Sequence, residues 1–97
     1  MYARITNFHV YEAKLEELER RLIDLCAQLR AIRGLIEAYS AWRDDGQGIS
    51  IAFYDDEDSA DKAALEVQAI WASFADLLSS PIQVTTYDTA MHLTFGT

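Results

Sequence analysis

The stretch Leu35-Ile-Glu-Ala-Tyr-Ser-Ala-Trp-Arg43, Asp44-Asp45-Gly46-Gln47-Gly48, Ile49-Ser-Ile-Ala-Phe-Tyr54 decides the fold. Its two outer runs are rich in β-branched and aromatic residues, the composition of strands. From Ile49 to Tyr54 the pattern alternates with period two, and in the first run Leu35, Glu37, Tyr39 and Ala41 oppose Ile36, Ala38, Ser40 and Trp42. Asp and Gly between the runs tolerate the positive φ of a tight reversal. The spacing therefore predicts an antiparallel hairpin, Leu35–Arg43 with Ile49–Tyr54. A helix and a further strand lie outside each arm.

Upstream, Tyr2–Val10 mixes β-branched and aromatic residues, with Tyr2, Arg4, Thr6 and Phe8 on one face and Ala3, Ile5, Asn7 and His9 on the other. Neither face is cleanly polar, so a strand covered on both sides is expected. Glu12–Arg33 reads as a helix. Leu15, Leu18, Leu22, Leu25, Leu29 and Ile32 step by three and four, and Ile23 and Cys26 widen the stripe. Glu16–Arg20 and Glu17–Arg21 are i,i+4 pairs for the wet face. Gly34 then supplies the left-handed conformation that ends many helices. Downstream, Asp55-Asp56-Glu57-Asp58 precedes a second helix over Ser59–Ser79, where side-chain oxygens and negative charge suit free N–H groups. Its stripe is Ala63, Ala64, Val67, Ile70, Trp71, Phe74, Leu77 and Leu78, and Pro81 cannot continue it. Ile82–Leu93 is the last strand, with a break near Thr89-Ala90.

Two strand-helix-strand halves joined by a hairpin give a ferredoxin-like βαββαβ fold of the α+β class. Its four-stranded antiparallel sheet carries both helices on one face. The other face holds too many apolar side chains for water. A second sheet would cover it if two chains closed into one α/β barrel across a two-fold axis.

The chain of 97 residues suits a single domain spanning 1–97. Hydrophobic residues make up 51% of it, a high share for a chain with a modest core, and self-association would use the excess. The formal net charge is −8, with 16 acidic and 8 basic side chains and no basic cluster. Nucleic acid and anionic membranes are therefore excluded as expected partners. The single cysteine, Cys26, allows no intrachain disulfide. The start does not resemble a signal peptide, and no apolar run approaches the roughly 18–20 residues that span a bilayer. A soluble protein of the reducing cytoplasm is the expectation.

Few residues carry obvious chemistry. The acidic run 55–58 lacks the alternate spacing and glycine of a calcium loop. The only histidines, His9 and His92, have no further ligand at metal spacing, so no metal is expected. Cys26 lies among leucines, where a thiol packs rather than ionises. There is no nucleophile elbow and no phosphate-binding or dinucleotide loop. The aromatics stand out. Trp71 and Phe74 share a helix face, while Tyr39, Trp42, Phe53, Tyr54 and Tyr87 fall on strands. Such a set either packs a core or lines an apolar pocket with a few polar groups.

Over nearly all its length the chain resembles the dimeric α/β-barrel superfamily, and within it the antibiotic biosynthesis monooxygenase-like (ABM-like) proteins. The resemblance is carried by Tyr2-Ala-Arg-Ile-Thr-Asn-Phe8, by Ala41-Trp-Arg-Asp-Asp-Gly-Gln-Gly-Ile-Ser-Ile-Ala-Phe-Tyr54, and by Ile70-Trp-Ala-Ser-Phe-Ala-Asp-Leu-Leu78 ahead of Pro81-Ile-Gln-Val-Thr-Thr-Tyr-Asp88. It implies a homodimer with a shared barrel and a pocket between each sheet and its own helices. Some members oxidise polycyclic aromatics with O₂ and no metal or flavin. Others bind and degrade haem. The haem-degrading branch is similar in an Asn on the first strand, here Asn7, and a Trp on the second helix, here Trp71. Its haem-ligating His has no counterpart in Ala72-Ser-Phe-Ala-Asp-Leu-Leu-Ser-Ser-Pro81.

The resulting expectation is a homodimer with a small apolar pocket for an aromatic or quinone-like ligand, acting as a cofactor-independent monooxygenase. Asn7 would orient a ligand oxygen, Trp71 and Phe74 would stack on its ring, and His9 would accept the proton, since imidazole titrates near neutrality. No cofactor is required. A non-catalytic ligand-binding or structural dimer is the alternative, and a haem-binding or haem-degrading protein a further one. Alternation alone leaves open which strand face meets the helices.

Overall fold

The central strand is β1 (Tyr2–His9), flanked by β3 (Gln47–Tyr54) and β4 (Gln83–Tyr87), with β2 (Leu35–Trp42) outside β3. The strand order is β2-β3-β1-β4 and every pairing is antiparallel. The helices are α1 (Leu15–Arg30), preceded by a 3-10 turn at Glu12–Lys14, and α2 (Glu57–Ser73). In this computed structural model residues 1–96 are described, and they form the βαββαβ ferredoxin-like arrangement.

The hairpin forms where the turn residues stand. Gly46 adopts φ 96°. The reversal closes through the Gly46 N–H on the Arg43 carbonyl at 2.9 Å and the Arg43 N–H on the Gln47 carbonyl at 2.9 Å. Asp45 Oδ1 accepts the Gln47 N–H at 2.9 Å. One extra residue near Ile36 breaks the β2–β3 register, leaving Leu35 opposite Tyr54 and Glu37 opposite Phe53.

Helix boundaries differ from the sequence reading for local reasons. Helix α1 stops at Arg30, because the Ala31 and Ile32 N–H groups reach back three residues to Gln28 and Leu29 and tighten the last turn. Gly34, at φ 85°, then turns the chain into β2. Helix α2 begins at Glu57 rather than Ser59, because Asp56 is its N-cap and accepts the Ser59 N–H at 2.8 Å. It ends at Ser73, after which Leu77–Ser79 is tied to the end of β1: the Tyr11 N–H donates to the Leu77 carbonyl at 3.1 Å and the Ser79 N–H to the His9 carbonyl at 2.8 Å. Strand β4 ends at Tyr87, whose partner is Ala3, one residue short of the start of β1.

Register fixes the faces. Tyr2, Arg4, Thr6 and Phe8 share a side with Tyr54, Ala52, Ser50 and Gly48 and with Ala38, Ser40 and Trp42. Tyr2, Phe8 and Tyr54 join Leu18, Ile32, Ala60, Ala63, Ile70, Phe74 and Leu77 in the core, so this side meets both helices. Burying one such leucine contributes about 1.5–3 kcal/mol. The opposite side carries Ile5, Ile49, Ile51 and Phe53, with Tyr39 and Tyr87 exposed. The α1 stripe is narrower than its sequence suggests. Ile23 is 65% exposed, and Cys26 is exposed too, its thiol directed at the Leu22 carbonyl. Core packing is therefore not the role of Cys26. Among the described residues no helix is long and apolar enough to cross a membrane.

Candidate functional site

Small side chains leave space between the sheet and its helices. On the helix-facing side β2 and β3 carry Ala38, Ser40, Ser50 and Ala52, where larger residues would reach α1. The resulting interior cavity measures about 90 Å³ and is walled by Leu18, Leu22, Leu25 and Leu29 of α1 and by Ile70, Trp71 and Phe74 from the α2 side. Its polar groups are few. Ser40 and Ser50 satisfy each other, Oγ to Oγ at 2.6 Å. A dry cavity that admits benzene is about 150 Å³. The interior space alone is thus too small for a polycyclic guest.

A larger cleft opens on the other side of Trp71. It measures about 440 Å³ and lies between α2 and the β1–β4 edge. That volume falls in the usual range for small-molecule sites. Val67, Gln68, Trp71 and Ala72 line it from α2, Ala75 and Leu78 from the segment after it, and Ile82 and Val84 from the approach to β4 and from β4 itself. Ala72 and Ala75 leave the room, because a long side chain at either position would fill it. Arg4, Thr6, Val67 and Trp71 border both spaces, so the two adjoin along these four side chains.

Trp71 is held from two sides. Its ring centroid lies 5.6 Å from Phe8, tilted by 45°, and 6.3 Å from Phe74, tilted by 55°. These separations are favourable for aromatic pairs. Phe74 is buried and faces the interior cavity. Arg4 is partly buried, and its Nε is fully buried with no hydrogen-bond partner. Burial pushes the Tyr54 phenol pKa up, and the nearby Arg4 charge partly opposes the rise.

The structure brings together two of the four residues singled out from sequence. Trp71 and Phe74 meet beneath the sheet. Asn7 and His9 face the other way. Asn7 is exposed opposite Ile49, and His9 lies opposite Gln47 at the end of the sheet, with neither lining the cavity or the cleft. His9 Nδ1 is 2.5 Å from the Ser79 hydroxyl, which ties the imidazole to the sheet rim rather than to a ligand space beneath the helices. The Asn7–Trp71 pair of the haem-degrading branch is likewise split across the sheet. Among the described residues no group of three or more His, Cys, Asp or Glu could hold a metal ion. Arg4 and Thr6 were not singled out by sequence reasoning. The available signal was their place on the Phe8 face of an alternating strand.

No protein-family model matches the chain, and no curated protein matches it by sequence. Solved structures do match it over almost its full length. A protein of unknown function from Nitrosomonas europaea superposes with a TM-score of 0.75 at 22% identity, over 98% of this chain and 95% of that one. SnoaB, a cofactor-independent oxygenase from Streptomyces nogalater solved in mutant form, gives a TM-score of 0.69 at 17% identity, over 95% of each chain. An antibiotic biosynthesis monooxygenase gives 0.74 at 14% identity, over 94% of this chain and 100% of that one. Over more than nine-tenths of its length, the chain has the ferredoxin-like fold of the antibiotic biosynthesis monooxygenase-like proteins.

Proposed function

We propose that the chain is a homodimeric, cofactor-independent monooxygenase that takes an aromatic or quinone-like small molecule into the cleft beside Trp71. The cleft carries this reading. It is apolar and large enough for a fused-ring guest. Trp71 lines its wall, and Arg4, Thr6 and Gln68 are its polar border. Such a combination orients a flat ligand by stacking and a few hydrogen bonds. The likeness of fold to SnoaB supports oxygenation as the chemistry. Oxidation of an anthrone methylene to a carbonyl takes one oxygen atom from O₂ and releases the other, with both hydrogens, as water. That balance needs no external reductant.

The homodimer reading rests on the open sheet face. Ile5, Ile49, Ile51 and Phe53 form its apolar centre, and Tyr39 and Tyr87 extend it. Met91, Leu93 and Phe95 are also exposed, at 75%, 67% and 91%. A second sheet would cover this surface and enclose Asn7 and His9 between the two chains. Sedimentation at micromolar concentration gives a dimer mass if this holds and a monomer mass if it does not.

The function is tested by titrating polyphenols and anthrones while recording indole fluorescence and O₂ uptake. Saturable binding that weakens about tenfold in Trp71→Ala, with O₂ consumed, is the expected outcome. Absence of binding across such a library overturns the reading. One observation favours a second reading, a non-catalytic ligand-binding dimer. Arg4, Thr6 and Gln68 include no proton acceptor that works near neutrality, and His9 points away. Binding without O₂ uptake would select that alternative. The separation of Asn7 from Trp71 weighs against haem chemistry, and haemin titration should produce no Soret shift.

A further inference from the structure

Arg4 stands out among the basic side chains. The ion pairs of the described residues use Arg20, Arg21, Arg43 and Lys62; Arg4, Lys14, Arg30 and Arg33 lie outside them, and of these only Arg4 has a buried side-chain nitrogen without a hydrogen bond. Its Nε is buried and makes no hydrogen bond. A guanidinium offers N–H donors and no acceptor. A buried donor on a cationic group is costly unless an acceptor meets it. The chain has acids in excess, 16 against 8 bases, yet among the described residues none forms an ion pair with this one.

The position of Arg4 sets what its guanidinium faces. It sits on the helix-facing side of β1, opposite Ala52 on β3 and Thr86 on β4. It borders the interior cavity and the larger cleft alike, next to Thr6 and across from Trp71. Leu78, Ile82, Val84 and Val67 make the rest of the cleft apolar, so little else competes for the guanidinium.

We infer that Arg4 makes the cleft selective for aromatic ligands that carry an oxyanion, a carboxylate or an ionised phenol or enol, bound with that oxygen on the guanidinium and the ring along Trp71. The inference rests on the aromatic-ligand reading of the cleft and adds the charge of the ligand. A guanidinium presents parallel N–H donors that match a carboxylate, and such charge-assisted bonds are roughly twice as strong as neutral ones. Where the ligand displaces water from the apolar wall, the pair is strengthened further. A ligand that arrives as the enolate has already lost the proton that oxidation must remove from carbon, so its first step needs no base in the cleft.

The test compares two probes of the same shape, naphthalene-2-carboxylate and neutral naphthalene-2-carboxamide, by calorimetric titration at pH 7 and low salt. Wild-type protein should bind the carboxylate about tenfold more tightly. Arg4→Met should abolish the preference while leaving carboxamide affinity within about twofold, and Arg4→Lys should retain part of it. If Arg4→Met fails to fold, Arg4→Gln removes the charge with a polar side chain and gives the same readout. Equal binding of the two probes by wild type overturns the role of Arg4 and leaves the aromatic cleft standing. So does a preference that survives loss of the charge. Failure of both probes to bind overturns the cleft and the Arg4 inference together.

Discussion

Gly48→Ala should destabilise this protein through a single ring. Gly48 lies directly opposite Phe8 in the β1–β3 register. A Cβ added at Gly48 would come within 2.2 Å of Phe8 Cζ and 2.3 Å of Cε1, whereas ordinary contact begins near 3.4 Å. The ring must therefore retreat by about 1 Å. Phe8 is only 3% exposed and is backed by Trp71 at 5.6 Å, so it has little room. Alanine alone should favour the strand by up to about 1 kcal/mol over glycine. Overpacking a well-filled core costs about 1–3 kcal/mol. The net expectation is a loss of about 1–2 kcal/mol, read as a lower urea midpoint at unchanged slope. In a thermal melt at fixed protein concentration it corresponds to roughly 5–15 °C. Repeating the substitution in a Phe8→Leu background isolates the cause. With the ring gone, Gly48→Ala should be neutral to stabilising by up to about 1 kcal/mol, and the two changes should be strongly non-additive. A neutral or stabilising Gly48→Ala, or simple additivity with Phe8→Leu, refutes the reasoning. Because Phe8 backs Trp71, the same substitution should also weaken aromatic binding in the cleft.

Four further outcomes can be checked. Gly46→Ala should cost more than Gly48→Ala, about 3 kcal/mol or above in urea melts. Its φ is 96° and its Cβ would lie 2.0 Å from the Val10 carbonyl oxygen, a backbone atom that cannot swing aside. The Ser59 N–H holds the Asp56 carboxyl below its ordinary pKa, so its contribution is complete above that range and fades as pH falls through the lowered folded value. The stability difference between wild type and Asp56→Asn should therefore shrink in melts from pH 7 toward pH 2, and a constant difference would contradict it. Arg21 grips both Asp76 oxygens at 2.8 Å and joins α1 to the segment after α2, so a cycle of Arg21→Ala and Asp76→Ala should be non-additive in low salt and closer to additive in about 1 M NaCl. Ile51→Lys, in the middle of the open sheet face, should yield a folded monomer in sedimentation, and an unchanged dimer would move the interface elsewhere.

The fold was legible because its punctuation is strong. Asp44-Asp45-Gly46 turns where turn chemistry demands it, and Gly34 takes the positive φ expected after a helix. The leucine step from Leu15 to Leu29 faces the core or the interior cavity. The boundaries that moved depend on long-range ties invisible to local pattern. Helix α2 stops six residues early because Leu77–Ser79 must meet Val10 and His9 at the end of β1. Strand β4 leaves the ladder after Tyr87, opposite Ala3, and the chain touches the start of β1 again only where the Ala90 N–H meets the Met1 carbonyl at 2.8 Å. Ile23 and Cys26 looked like stripe residues because a helix of this pitch gives a broad apolar face, whereas a four-stranded sheet shared by two helices covers only part of each.

The site was less legible because strand alternation fixes which residues share a face but not which face meets the helices. Both faces of β1 mix apolar and polar groups. Asn7 and His9 carry the more familiar chemistry, so a reading led by residue type favours their side. The deciding contacts are Phe8 over Gly48 and against Trp71, which bring the even-numbered residues beneath the helices. That single choice carries Arg4 and Thr6 to the cleft and sends Asn7 and His9 to the open face. The consequence is a division of labour across the sheet. Ligand recognition by Trp71 and Arg4 would belong to each chain by itself. Any role for Asn7 and His9 would require a second sheet to enclose them, as in the proposed dimer. A monomeric variant such as Ile51→Lys therefore separates the two. Aromatic binding should survive it, while any reaction that depends on Asn7 or His9 should be lost with the dimer.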